Sequence, residues 1–79
     1  MINLIVKNSQ GTVFQGEVTN ITCYNKKGIF NILQDHANMI TLVDASILIN
    51  QNGETKEIAI NNGILKNLGN KTLIYIGVK

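Results

Sequence analysis

The sequence predicts an all-β fold: a two-sheet, mostly antiparallel β-sandwich or flattened barrel. Three observations carry this. Short runs rich in isoleucine, valine, leucine and threonine recur between turn signals throughout the chain. Asparagine and glycine are frequent at the breaks, where they supply turn conformations. No stretch combines helical periodicity with caps.

Taken in order, residues 2–7 read as a first strand, broken by Asn8-Ser9-Gln10-Gly11. Residues 12–17 form a second, with Gly16 marking a bulge or bend. Residues 18–24 form a third, in which Ile21 and Cys23 share one face because strand side chains alternate. Asn25-Lys26-Lys27-Gly28 turns into a short strand at residues 29–33. A polar turn, Gln34-Asp35-His36-Ala37-Asn38, leads into an extended segment at 39–43, which Asp44-Ala45 is expected to interrupt. Residues 46–51 and 54–60 flank Asn52-Gly53, the strongest hairpin signal, since Asn-Gly suits the two positive-φ positions of a type I′ turn. Asn62-Gly63 reads as a further turn before residues 64–68, and Gly69-Asn70 as the last before residues 71–78. That final strand is apolar on both faces, so it is expected to be central or covered on its outer side by another protein.

The 79 residues are expected to form one domain. A chain this short builds a small core and often draws support from disulfides, metals or partners. Cys23 is the only cysteine and His36 the only histidine, which excludes an intrachain disulfide and offers no clustered metal ligands. A partner is the remaining support. The net charge of +2 is too small and diffuse for a nucleic-acid footprint. No apolar run approaches the roughly 20 residues of a membrane helix, and the N-terminus lacks a signal-peptide layout. With a single cysteine, these features favour a reducing, cytoplasmic compartment.

The chemistry-bearing residues do not assemble a catalytic pattern. A Cys23–His36 nucleophile pair would need an orienting group and oxyanion donors, and a small thiol in a strand reads as core. Asp35 and His36, adjacent in an extended turn, are expected to point apart and so not to act as an acid–base pair. No Gly-Lys-Ser/Thr phosphate loop is present. Phe14, Tyr24, Phe30 and Tyr75 are too scattered for a base-stacking platform. A biotinyl- or lipoyl-type carrier would present its lysine at the hairpin tip, whereas Lys56 is set back from Asn52-Gly53.

The order of these features resembles the N-terminal β-sandwich domain of the epsilon subunit of F-type ATP synthase (the delta subunit in mitochondria). The resemblance covers nearly the whole chain. "VFQGEV" is similar to the family's Phe-x-Gly-x-Val, and "KKGIFNILQDHANMITLV" to its Glu-Gly-x-Leu-Gly-x-x-Pro-Gly-His-Ala-Pro-x-x-Thr pattern. Gly28, Phe30, His36, Ala37 and Thr41 fall on that pattern's Gly, Leu, His, Ala and Thr. Asn62-Gly63-Ile64-Leu65 resembles the family's Gly-Gly-[Phe/Ile]-Leu. The departures are Asn31 for a second glycine, Gln34, Asp35 and Asn38 for Pro, Gly and Pro, Ser46 for another glycine, and Lys27 and Ile29 at commonly acidic positions. Without proline to fix φ, the 34–38 turn is expected to be less preorganised than in the family.

The resemblance implies a non-catalytic rotor subunit of the central stalk, with no cofactor and no metal. It would dock on the gamma subunit and the c-subunit ring and couple ion-driven rotation to ATP synthesis. The implied interface is Asn8, Lys26, Lys27, Gly28, Ile29, Phe30, His36, Ala37, Asn38 and Thr41, and the nonpolar outer side of residues 73–78 would suit a gamma-facing sheet. The expected place is peripheral, on the inner face of the cell membrane, without direct membrane insertion and without nucleic acid. Typical bacterial members continue into a helical hairpin, which this sequence does not reach, so the chain is expected neither to bind ATP nor to inhibit its hydrolysis. The alternatives are a stand-alone β module for another protein partner and a weak nucleic-acid binder.

Overall fold

In a computed structural model, which describes residues 1–35 and 37–77, alternating apolar residues organise seven strands. These are β1 (Ile2–Asn8), β2 (Gly11–Val18), β3 (Asn20–Asn25), β4 (Gly28–Ile32), β5 (Met39–Gln51), β6 (Glu54–Leu68) and β7 (Lys71–Ile76). They form one hydrogen-bonded sheet in the order β2-β1-β7-β6-β5-β3-β4. Every pairing is antiparallel except that of β1 with β7. The sandwich arises because this sheet folds over along its two longest strands. β7, β1 and β2 extend it from the second half of β6, while β3 and β4 extend it from the second half of β5.

Asn52-Gly53 makes the expected two-residue turn, with φ of 52° and 79° and Gln51 opposite Glu54. From there β5 and β6 pair continuously to Met39 opposite Asn67. Two expected breaks are therefore absent. Asp44-Ala45 does not interrupt the chain, and Asn62-Gly63 is not a turn; both lie inside long strands.

The interruption is instead a bulge. Ala45 stands opposite Asn61 and Ser46 opposite Ala59, which leaves Ile60 as the extra residue. Ala45 and Asn61 both take positive φ, 59° and 61°. The extra residue reverses the alternation of β6. Ile58 and the bulge residue Ile60 point inward, and beyond the bulge Gly63, Leu65 and Asn67 do so. One strand can thus face the core in both layers.

A second correction concerns β1 and β2. Val6 pairs with Phe14 and Lys7 with Thr12, so the bulge residue is Val13, while Gly16 pairs regularly with Leu4. The expected third strand also starts later, because Val18 closes β2. β7 is central, between β1 and β6, as its two apolar faces allow.

Inward residues from all seven strands make the core, including Leu4, Val18, Ile21, Ile32, Ile47 and Ile74. Gly63 has a packing role. A Cβ there would lie 2.8 Å from both the Tyr75 carbonyl oxygen and Ile60 Cγ2, and 3.1 Å from Val43 Cγ2. Its φ is not in the left-handed region; the glycine serves close approach of β7 to the bulge.

Candidate functional site

The β3–β4 hairpin carries the first group of residues expected at an interface. Asn25 Oδ1 accepts from the Lys27 N–H at 2.8 Å, which shapes the tip, and Gly28 closes it at φ 129°. Lys26 and Lys27 are exposed. Alternation then separates their neighbours: Ile29 points out, 63% exposed, while Phe30 packs on the core. The tip borders an open groove of about 620 Å³ that Thr41, Leu42, Asn62 and Ile64 also line. The structure thus brings Lys26, Lys27 and Thr41 together. Asn8 has a local duty, its Oδ1 accepting from the Gln10 N–H at 2.8 Å in the β1–β2 turn.

The 34–38 turn lies elsewhere, against the β6–β7 turn. Asp35 N–H donates to Asn70 Oδ1 at 2.7 Å, and Asn70 Nδ2 donates to Asp35 Oδ1 at 3.1 Å. Gly69 N–H donates to Asn38 Oδ1 at 2.9 Å, and Asn67 Nδ2 to the Ala37 carbonyl at 3.1 Å. The N-terminal ammonium of Met1 donates to Gln34 Oε1 at 2.9 Å. His36, the remaining interface candidate, lies outside the described residues. The groove meets β6 at Asn62–Ile64, whereas the 34–38 turn meets β6 at Asn67. At roughly 3.3 Å of rise per residue, these ends stand about 10–15 Å apart.

Between them runs the outer face of β5, β6, β7 and β1. The register sets Ile40, Lys66, Leu73 and Ile5 in one row, and Leu42, Ile64, Tyr75 and Lys7 in the next. Ile40 is 71% exposed, Leu42 62% and Tyr75 43%. Leu68 and Lys71 continue the face at the end nearer the 34–38 turn. It is an apolar surface set with lysines, contiguous rather than scattered.

The outer face of the other layer also carries Leu48 and Ile29 but is crossed by polar contacts. Thr22 Oγ1 donates to Asn31 Oδ1 at 2.7 Å and Thr55 Oγ1 to Asn50 Oδ1 at 2.7 Å. Asn50 Nδ2 bonds Asn20, and Ser46 Oγ donates to Glu57 Oε2 at 2.9 Å. These polar ladders satisfy one another across strands. No such ladder links the apolar face among the described residues.

The sequence pointed to an exposed lysine tip and an apolar outer side of β7 but did not single out Ile5, Ile40, Leu42, Ile64 and Leu68, which share that outer side. The signal was present in Met39-Ile40-Thr41-Leu42-Val43, where both alternating sets are largely apolar although only one can face a core.

The chain's thiol is poorly suited to chemistry. Cys23 is buried, and burial pushes its pKa from 9.0 up to about 12, so the nucleophilic thiolate is suppressed at neutral pH. Among the described residues no group of three or more His, Cys, Asp or Glu could hold a metal ion. Among the described residues no helix is long and apolar enough to cross a membrane.

Residues 1–76 match the family described as ATP synthase, Delta/Epsilon chain, beta-sandwich domain. The ATP synthase epsilon chain of Wolinella succinogenes is 31% identical over 68 residues, covering 84% of this chain and 52% of that one. The ATP synthase epsilon chain of Helicobacter pylori is 34% identical over 64 residues, covering 80% of this chain and 52% of that one. The chain thus spans about half the length of the curated relatives it matches. In fold, it is similar to a chain in a structure of Euglena gracilis mitochondrial ATP synthase, OSCP/F1/c-ring, with a TM-score of 0.87 at 18% identity over 95% of this chain and 49% of that one.

Proposed function

The chain belongs to the ATP synthase delta/epsilon β-sandwich family, and from that premise we propose that it is a non-catalytic central-stalk subunit of an F-type ATP synthase. It docks on the gamma subunit and the c-subunit ring and helps couple ion-driven rotation to ATP synthesis. In that role it sits at the cytoplasmic side of the membrane as part of the complex and is not itself inserted.

The observation that carries this reading is the asymmetry of the two outer faces. A polar ladder suits solvent, whereas the face of Ile40, Leu42, Ile64, Leu73 and Tyr75 leaves apolar area that a stable partner would remove from water. Such burial is worth roughly 25 cal/mol per Å². We assign that face to gamma. The Lys26–Lys27 tip and the Ala37–Asn38 segment lie at its two ends and, with Ile29 beside the tip, provide contacts to the ring or to gamma.

Affinity purification of the tagged chain from its source cell, with mass spectrometry of what elutes, tests the proposal. Gamma and c subunits should co-purify, and adding the chain to a complex lacking it should increase ATP-driven ion pumping per ATP hydrolysed. Recovery of unrelated partners, with no effect on pumping, would overturn it.

A further inference from the structure

The 34–38 turn poses a physical problem. It has no proline, and Asp35 sits at φ 61°, a region that few non-glycine residues occupy without local support. We propose that the β6–β7 turn acts as a clamp that positions this segment, with Asn70 and Asn67 as positioning residues; the functional part of this inference rests on the docking role proposed above.

The clamp is built from four bonds drawn from one short stretch, residues 67–70. Asn70 grips Asp35 twice, accepting from its backbone N–H at 2.7 Å and donating to its carboxylate at 3.1 Å. This holds the residue that carries the unusual φ. Gly69 N–H reaches Asn38 at 2.9 Å, and Asn67 holds the Ala37 carbonyl at 3.1 Å. Both sides of the turn's centre are therefore tied. The clamp is itself anchored. The Asn70 carbonyl accepts from the Asn3 N–H at 2.8 Å, and Asn67 Oδ1 accepts from the buried Thr72 hydroxyl at 2.7 Å.

The same strand ends carry outward Leu68, Lys71 and Leu73. The turn and the apolar face are thus held in one fixed relation. A partner that touches both meets a preorganised surface and loses less free energy to ordering it. Side-chain bonds to a neighbouring hairpin here supply the restraint that proline supplies within a chain.

An exchange of the two side chains tests this. Asn70→Asp keeps an acceptor for the Asp35 N–H but sets two carboxylates against each other. Adding Asp35→Asn restores a donor between them, and asparagine tolerates positive φ. Both positions are exposed, so melting temperature should change little. Amide hydrogen exchange at Asp35, Ala37 and Asn38 should quicken about tenfold in Asn70→Asp, and affinity for a purified gamma–ring complex should fall about tenfold, the equivalent of about one charge-assisted hydrogen bond. The double variant should return both to within about twofold of the parent. Unchanged exchange in Asn70→Asp, or no recovery in the double variant, would overturn the clamp. Faster exchange with undiminished affinity would overturn its role in docking. A parent chain that does not bind the complex at all would instead overturn the proposed function, and exchange alone would then decide the clamp.

Discussion

The Thr72 hydroxyl donates to Asn67 Oδ1 at 2.7 Å across the β6–β7 hairpin, and these are the two buried polar side chains among the described residues. Each answers the other's desolvation. Thr72→Val keeps the shape and removes the donor, so unfolding in urea should show a loss of about 1–3 kcal/mol. Thr72→Ser, which retains the hydroxyl, should lose less. Equal losses in the two variants would show that the methyl, not the bond, matters.

Gly63 has no room for a side chain. The Tyr75 carbonyl that a Cβ would meet at 2.8 Å belongs to the backbone of a central strand, which cannot swing aside like a side chain. Gly63→Ala should therefore lower stability by about 1–3 kcal/mol, the usual cost of overpacking. A melting temperature equal to the parent's would place the close approach elsewhere.

Burial of Cys23 makes the fold sensitive to alkali. The folded pKa, about 12, lies above the unfolded value near 9, so the unfolded state releases its proton first. This contribution to stability is full below about pH 9 and is lost as pH rises toward 12. Other groups titrate in that range, so the comparison is with Cys23→Ala, whose stability should fall less steeply between pH 9 and 11. The folded thiol should also resist alkylation at pH 8 until the chain is denatured. Rapid labelling of the native protein would contradict its burial.

The apolar outer face gives a prediction in which folding and docking separate. Ile40 is 71% exposed, so Ile40→Asp should change stability by no more than about 0.5 kcal/mol, as is usual for surface positions. Under the proposed function it should nonetheless abolish co-elution with gamma. Lys7, Lys66 and Lys71 lie on the same face. Binding should accordingly weaken as salt rises from 50 to 500 mM, because exposed charge pairs are screened. Co-elution of Ile40→Asp with gamma at the parent's level would remove this face from the interface.

What the sequence determined by itself was local. Asn52-Gly53 specified its turn because two consecutive positive-φ positions favour that dipeptide. Alternating isoleucine and valine specified strands, and their inward set specified most of the core. The lysine tip at 26–27 was legible as an exposed turn. Tertiary structure decided the rest. Asp44-Ala45 and Asn62-Gly63 carry ordinary turn chemistry, yet pairing of β5 with β6 absorbs them into one bulged ribbon. The extra residue, Ile60, reverses which side of β6 faces the core, and neither residue type nor spacing displays that until the partner strand is in place. The support of the 34–38 turn by Asn67, Gly69 and Asn70 spans about thirty residues of sequence, and only the folded sheet brings those groups within hydrogen-bonding distance.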